Sequence, residues 1–369
     1  MKGFNKYAIF VYMKQVRPTF ACFILISFLY VPAYGQFLDK SEEVDYDTSY
    51  IQVYKDELTT RLYVSRKQNG YSLTEGATKP FMQYKTNDNI LLGLGYTYSF
   101  LTINLGVKLP IVNDDDDLYG ESKYFDLQTH FMFRSYVVDF YLQWNTGYYL
   151  SNPEDVYYYW DNDTEVMLQR GDMRTNVLGL NIQYLFNSDR YSYKASFWQN
   201  EFQKRSAGSP IVGIEAYWVL GMTDSMMVES AIPSTGFMDD QAFNQNDMMN
   251  LGLNGGYAYT LVWDQKLNLS LYSVFGISAG YNRVNYSTDS YILQSGMGLG
   301  LTNTTKISVG YNTKKHYFGI SYNRLWVSSM VGGYKNWLTY NTGHIRINFA
   351  KRFNLNRPIK ILRPDLWIL

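Results

Sequence analysis

Residues 89–109 alternate apolar with small or polar side chains on both sides of a turn near Ser99. A period of two predicts extended strands, because successive side chains of a strand point to opposite faces. One face of this ribbon is aliphatic and aromatic, and the other is mostly Gly, Ser, Thr and Asn. A membrane-spanning β-barrel needs this pair of faces, with lipid outside and a wet lumen inside. The pattern therefore predicts transmembrane strands.

The same alternation recurs along most of the chain. Besides the ribbon at 89–109, strands are predicted at 61–67, 79–85, 122–133, 136–148, 174–186, 190–200, 210–219, 247–263, 266–282, 290–301, 305–323 and 338–353. Most of them approach or exceed the roughly 9–11 residues that cross a bilayer at a tilt. We therefore predict an all-β fold, a monomeric transmembrane antiparallel β-barrel of about 12 strands. A soluble β-sandwich is the alternative, although its strands are rarely this long.

The composition agrees with a barrel and argues against other classes of protein. The chain has 36 Tyr, a residue suited to positions where one end of the side chain is apolar and the other is wet. Lys+Arg and Asp+Glu both number 33, so no net basic field exists to attract nucleic acid. A mean hydropathy of -0.27 is too polar for a helical membrane protein, but it fits strands with one wet face.

The N-terminus has the layout of an export signal. Lys14 and Arg17 precede an apolar run at 20–31, and a small-x-small cleavage site ends at Gly35. The run is shorter than the roughly 20 apolar residues that a membrane-spanning helix needs. We expect cleavage after Gly35, which would remove Cys22, the only cysteine. The mature chain would then have no thiol for a disulfide, a nucleophile or a metal ligand.

The predicted organisation has four parts. They are a signal peptide at 1–35, a polar, acidic periplasmic segment at 36–60, the barrel at 61–353 and a C-terminal tail at 354–369. A barrel behind an export signal is expected in the outer membrane of a Gram-negative bacterium, with the lipid bilayer as its first partner.

Several stretches from Tyr50 onward carry a family resemblance. They are 50–51, 61–67, 123–128, 147–150, 199–208, 256–260 and 343–353, of which 199–208 is the most specific. In these stretches the chain resembles domain-of-unknown-function family 4421, exported proteins typical of Bacteroides-type bacteria. The resemblance implies an outer-membrane-like β-barrel and brings no assigned activity. One departure is the tail, because such chains often stop near Phe353, whereas residues 354–369 continue here.

Charged residues on predicted inward faces form the candidate site. They are Asp126, Asp139, Lys194, Glu201, Lys204, Arg205, Glu215 and Arg346. Charged rings in a lumen can set the ion preference of a pore. Opposite charges can equally pair inside a plugged lumen, where they satisfy one another as salt bridges. We favour the plugged lumen.

Two loops carry further candidates. The acidic run at 114–117 predicts a solvated outer loop rather than a Ca²⁺ site, because four consecutive Asp cannot all face one ion. The long loop at 149–173 contains an aromatic patch made of Tyr157, Tyr158, Tyr159 and Trp160. This patch is our candidate contact for an envelope protein or a glycan, and a rim anchor at the lipid headgroups is the alternative. No metal and no cofactor is predicted.

No catalytic residue is assigned from the sequence. A lipid-modifying enzyme needs a nucleophile, a His and an orienting group in contact, and His130, His316 and His344 are the only histidines. Neither a G-x-S-x-G elbow nor an H-E-x-x-H motif occurs. We expect a non-catalytic barrel with a transport, scaffold or surface-interaction role. The alternatives are a lipid hydrolase or acyltransferase, and a subunit of a secretion or gliding machine that docks through residues 37–59.

Overall fold

The structure, a computed structural model, describes residues 45–54, 57–75, 79–99, 101–109, 115–156, 167–227, 243–286, 293–331, 336–355 and 359. The predicted signal peptide at 1–35 and the aromatic patch at 157–160 lie outside the described residues. The chain divides into two compact units, Met1–Val44 with Pro358–Leu369, and Asp45–Arg357. All the described helices and strands belong to the second unit.

The described residues form fifteen strands and three short helices. The strands are β1 Ile51–Val53, β2 Glu57–Glu75, β3 Lys79–Lys85, β4 Asn89–Tyr98, β5 Leu101–Lys108, β6 Lys123–Met132, β7 Tyr136–Leu150, β8 Gln169–Leu185, β9 Glu201–Gln203, β10 Ala207–Met222, β11 Phe243–Trp263, β12 Leu267–Tyr286, β13 Leu293–Asn312, β14 His316–Met330 and β15 Trp337–Asn354. The helices are α1 Asp116–Tyr119, α2 Pro153–Val156 and α3 Tyr193–Phe197. No helix in this part of the chain is long and apolar enough to cross a bilayer.

Twelve strands form a closed antiparallel ring. Their order is β2, β4, β5, β6, β7, β8, β10, β11, β12, β13, β14 and β15, and β15 pairs again with β2. The closing pair runs without interruption from Glu57 against Asn354 to Thr74 against Trp337. The prediction of a transmembrane antiparallel β-barrel of about 12 strands is confirmed.

The connections differ between the two ends of the barrel. Tight turns at 133–135, 264–266 and 313–315 lie at the end where β2 begins and β15 finishes. We call this the turn end, and the opposite end the loop end. The connection from β8 to β10, residues 186–206, also starts and finishes at the turn end.

Side chains alternate between an apolar outer surface and a polar interior. Leu251 and Leu253 on β11 are each 69% exposed, whereas Asn250 and Asn254 on the other face are buried. The faces predicted for residues 136–145, 176–186, 249–263 and 342–350 are confirmed in the same way. Tyr98, predicted on the lipid face, is instead buried where β4 ends at the turn. The outer surface therefore offers lipid a nearly continuous apolar band.

Two predicted strand assignments are wrong. Residues 190–200 form α3 and a turn rather than a strand, and the Ser192 hydroxyl caps the helix by accepting from the Ala195 amide at 2.9 Å. Strands predicted at 290–301 and 305–323 are divided at the wrong place, because β13 continues to Asn312 and the turn lies at 313–315. Thr302 and Thr304 of β13 are buried on the lumen face. These side chains are polar because they face the wet interior. In the sequence, such a polar run looks the same as a turn.

The strand β3 changes the number of strands around the ring. β2 pairs with β4 over 59–67 and with β3 over 70–75, and β3 pairs with β7 at Tyr149 and Leu150. β3 thus takes the place of β4, β5 and β6 at the loop end. The barrel has twelve strands toward the turn end and ten at the loop end.

The interior of the barrel is filled in layers. The loop-end layer is apolar and consists of Tyr71, Leu73, Met82, Tyr84, Tyr148, Leu150, Val156, Met173, Val177, Val219, Met227, Phe243, Met248, Val284, Val331, Leu338 and Tyr340. A second apolar cluster lies at the turn end, around Tyr191, Tyr193, Trp198, Tyr272 and Val274. Between them lies a layer of charged and amide side chains, including Asp139, Asn181, Gln183 and Lys306.

Candidate functional site: a plugged and charged lumen

The connection at 187–206 folds back into the turn end of the lumen, and we call it the plug. Arg61 on β2 donates through Nη2 to the Trp198 carbonyl at 2.8 Å, and Arg352 on β15 donates through Nε to the Gln199 carbonyl at 2.8 Å. Ser308 on β13 donates to the Ser196 carbonyl at 2.7 Å. The plug is therefore bound to β2, β15 and β13, which lie close together in the ring.

The chain before the barrel joins this plug. β1 pairs antiparallel with β9, so that Ile51 faces Gln203 and Val53 faces Glu201. The guanidinium of Arg352 also lies over the ring of Tyr54, 4.6 Å from its centroid. A cation on an aromatic face is attracted by the ring quadrupole, so this contact adds to the closure. The N-terminal segment and the plug thus form one small sheet at the turn end.

Glu201 is the charged centre of the plug. Its carboxylate accepts from Arg134 at 2.8 and 3.1 Å and from the Ser192 hydroxyl at 2.5 Å, and it lies 3.9 Å from Lys194 Nζ. Burial by itself raises the pKa of this carboxyl, but the charges of Arg134 and Lys194 and the hydrogen bonds outweigh it and leave the pKa below its ordinary value. Glu201 is therefore ionised at neutral pH, and it fixes the plug to the barrel through the turn before β7.

Lys204 and Arg205 do not join Glu201 in the lumen, contrary to the prediction. Lys204 Nζ donates to the Thr48 carbonyl at 2.8 Å in an exposed hydrogen bond. Arg205 is exposed and lies 5.7 Å from the Tyr50 ring centroid. The reason is local, because residues 204–206 leave the lumen to begin β10.

The middle of the lumen contains a buried ion cluster around Asp139. Its Oδ1 lies 2.6 Å from His130 Nδ1, and its Oδ2 lies 2.9 Å from Lys306 Nζ. Lys306 also donates to the Tyr193 hydroxyl at 2.5 Å, which joins the cluster to the plug. Lys306 was missed in the sequence. A turn was wrongly expected at 302–304, and it interrupted the alternation of faces. The Lys306 side chain was therefore not assigned to the inward face of β13.

Asp126 and Glu215 lie apart from this cluster. Asp126 on β6 forms a 2.5 Å ion pair with Lys67 on β2 and accepts from Gln143 at 2.8 Å. Glu215 on β10 accepts from the Asn254 amide at 2.7 Å and from the Thr302 hydroxyl. No ion pair to Glu215 occurs within the described part of the chain. Of the eight predicted residues, Asp126, Asp139, Lys194 and Glu201 take part in separate local ion pairs, so the eight do not form one ring.

Arg346 faces the lumen without a carboxylate partner among the described residues. Its guanidinium lies over Tyr63, 4.1 Å from the ring centroid, and its Nε is buried with no hydrogen bond. With Arg61, Lys306 and His344 it lines a cavity that has a free volume of only about 20 Å³. A cavity of this size holds about one water molecule. The lining is cationic, and the space is far too small for a permeating solute.

The three histidines have different partners. His130 pairs with Asp139, His344 Nε2 lies 3.3 Å from the Asn323 amide, and His316 stacks on Phe349 at the outer surface. No described hydrogen bond joins any of these imidazoles to a hydroxyl group. The described residues contain no group of three or more His, Cys, Asp or Glu placed to hold a metal ion.

Comparison with known proteins gives one family match and several distant structural likenesses. The translocator domain of the autotransporter NalP from Neisseria meningitidis is 8% identical, with a TM-score of 0.31, over 80% of this chain and 88% of that one. The outer membrane protein OmpT of Vibrio cholerae is 10% identical, with a TM-score of 0.27, over 80% and 98%. OprG from Pseudomonas aeruginosa is 10% identical, with a TM-score of 0.23, over 84% and 100%.

No curated protein matches the chain in sequence. The model of the family described as domain of unknown function (DUF4421) matches residues 45–353. This range includes the plug and all twelve barrel strands, except for Asn354, the last residue of β15. This chain therefore belongs to the DUF4421 family.

Proposed function

We propose that this protein is a closed, non-catalytic β-barrel that serves as a scaffold in the outer membrane. The observation that carries the proposal is the filled interior. The plug occupies the turn end of the lumen, the loop-end layer fills the other end, and Asp139 and Glu201 between them are paired with cations. Within the described residues no hydroxyl group is hydrogen-bonded to an imidazole, and this favours a non-catalytic role over lipid modification.

The apolar outer band supports the membrane location. Leu105 and Val107 on β5, Phe275 on β12 and Ile347 on β15 all face outward and are exposed. A soluble protein rarely exposes so large a contiguous apolar surface, whereas a barrel in lipid requires it. The predicted export signal agrees with an outer-membrane location, and an outer envelope partner could bind the long loops.

Conductance in a planar lipid bilayer tests the closed state. We expect the purified full chain to insert and to show no single-channel steps, because the apolar side chains of the loop-end layer are buried against one another. Insertion is verified separately by protection of the strands from protease in the same vesicles. Sustained ion current from inserted protein would overturn the closed scaffold in favour of a pore.

Thiol access tests whether the plug closes the turn end. The backbone N–H of Asn187 donates to the Ser209 hydroxyl at 3.0 Å, so the two residues are close enough for residues 188–208 to be replaced by an Asn-Gly hairpin turn. In that variant we expect Ser308→Cys to react with a water-soluble thiol reagent about 100-fold faster than it does with the plug present. Val219→Cys in the loop-end layer is the matched control and stays protected in both. Equal rates at position 308 would show that the plug does not close the lumen.

A further inference from the structure

The barrel wall is open between β5 and β6. These strands pair only at Leu101 with Phe131 and at Thr102 with His130, next to the turn end. Beyond these two pairs, no pairing is described between residues 103–108 of β5 and 123–129 of β6. β5 is fully paired with β4, and β6 with β7, so each strand leaves one bare edge. We call this opening the seam.

The seam is closed toward the turn end and toward the loop end. It is therefore a gap within the barrel wall and does not extend to either end of the barrel. The two β5–β6 pairs limit it toward the turn end. Toward the loop end, Lys108 Nζ at the end of β5 lies 3.6 Å from Asp116 of α1. The same segment is fixed to the rest of the barrel, because Asn87 donates to Asp116 at 3.0 Å and Ser122 donates to the Gly147 carbonyl at 2.7 Å.

The outer margins of the seam are apolar. Ile103, Leu105 and Val107 along β5 are 49%, 64% and 67% exposed, and Phe125 and Leu127 face them on β6 at 51% and 40%. Unpaired backbone amides and carbonyls within lipid are costly, because hydrocarbon offers them no hydrogen bond. A ligand with an apolar tail and a polar head fits such a margin better than lipid hydrocarbon alone.

The lumen side of the seam is aromatic and cationic. Tyr63 lies beneath the wall glycines of β4 and β5, since a Cβ on Gly106 would come within 3.1 Å of its hydroxyl. The guanidinium of Arg346 lies over this ring. Across the seam, Lys67 reaches from β2 to Asp126 on β6 and lies over the Tyr124 ring at 5.2 Å.

The charges behind the seam do not cancel. Asp126 is paired by Lys67, whereas Arg61 and Arg346 have no carboxylate partner among the described residues. Arg346 Nε and the Tyr124 hydroxyl are buried without any hydrogen bond. Buried donors without partners are rare in folded proteins, and each is costly until it is satisfied. The excess is positive, so the missing partner is an anion.

We propose that the seam binds an anionic amphiphile. Its acyl chain lies between β5 and β6 among Leu105, Val107 and Phe125, and its carboxylate or phosphate head binds Arg346, with Lys67 beside it. The head enters from the bilayer through the seam and binds beside Tyr63. This site goes beyond the scaffold role, and its loss would leave the closed state and the conductance result unchanged.

Fluorescence binding tests the site, with dansyl-labelled undecanoic acid as the probe and the full chain in nonionic detergent. We expect saturable binding, and a loss of affinity of roughly ten- to hundred-fold in Arg346→Gln, the cost of one hydrogen bond to a charged group. Arg324→Gln is the matched control, because Arg324 is exposed on the neighbouring strand β14. It is expected to bind the probe like the natural chain.

A second pair of variants tests the route through the wall independently of charge. Gly106→Leu places a side chain at the seam and is expected to lower the affinity for the probe by at least ten-fold. Gly171→Leu on β8 is its control, because no atom lies within 4 Å of the added Cβ. Loss of heat-modifiable gel mobility would identify a variant that fails to fold, and Arg346→Gln then decides the matter alone.

Three outcomes overturn the proposal. Equal affinity for the uncharged methyl ester of the probe would show that the site does not require an anionic head group. Competition by inorganic phosphate as strong as that by unlabelled undecanoic acid would identify a free-anion site without an acyl groove. Unchanged affinity in both Arg346→Gln and Gly106→Leu would place the binding elsewhere on the barrel surface.

Discussion

Asp139→Asn is expected to lower the free energy of unfolding by about 3–5 kcal/mol, the cost of removing one partner from a buried ion pair. Asp139 is 1% exposed, and it is the carboxylate partner of Lys306 and His130. Without this carboxylate, Lys306 would keep a buried charge without a counterion. Urea unfolding in lipid vesicles, followed by tryptophan fluorescence, measures the change.

Two further variants show whether the loss comes from charge. Asp224→Asn is the control, because this residue is 74% exposed and lies 3.6 Å from Arg174. A pair at the surface contributes about 0–1 kcal/mol. In the double variant Asp139→Asn with Lys306→Gln, we expect most of the lost stability to return, since no uncompensated charge remains. A double variant as unstable as the single one would contradict the electrostatic explanation.

Glu201→Gln is expected to release the plug while the barrel stays folded. The amide cannot balance Arg134 and Lys194, and the change is expected to cost about 2–3 kcal/mol, less than for a fully buried pair because both cations are 17% exposed. The reaction rate of Ser308→Cys with a pyridyl disulfide reports the release, and we expect it to rise by about 30- to 100-fold. Glu121→Gln, an exposed residue paired with Lys123, is the control.

The same carboxylate makes plug binding depend on pH in a definite direction. The folded pKa of Glu201 lies below its ordinary value of 4.5, so its stabilising effect is complete well above pH 4.5 and is lost as the pH falls through the lowered pKa. Thiol access at position 308 should therefore rise in acid in the natural chain. Glu201→Gln should show fast access at every pH. An identical acid response in both proteins would exclude Glu201 as the group responsible.

The barrel wall could be predicted from the sequence because each strand repeats one simple rule. Lipid outside and polar groups inside impose a period of two, and pairs such as Leu251 with Asn250 express it directly. The inward positions of Asp126, Asp139, Glu215 and Arg346 follow from the same rule. Their partners do not, because Lys67 reaches Asp126 and Lys306 reaches Asp139 from strands far away in the sequence.

The sequence predicts the strand β3 at 79–85, but its place in the ring, the plug and the seam could not be predicted, for a related physical reason. Tyr191, Tyr193 and Trp198 resemble the residues of a lipid-facing strand, but the lumen buries them instead. Both environments are apolar, and the alternation alone does not distinguish them. β2 has different neighbours over 59–67 and 70–75, and no pattern in its own residues marks the change at Asn69. Pairing depends on the partner strands as much as on β2.

The continuous pairing of the first and last barrel strands has a consequence for biogenesis. β2 and β15 are separated by almost the entire sequence of the barrel, and closing so large a loop is slow because of its entropy. Until β15 is in place, β2 and β14 would expose unpaired strand edges that can pair with another nascent chain. Maturation therefore depends on the final strand, because without β15 the edges of β2 and β14 stay open to aggregation.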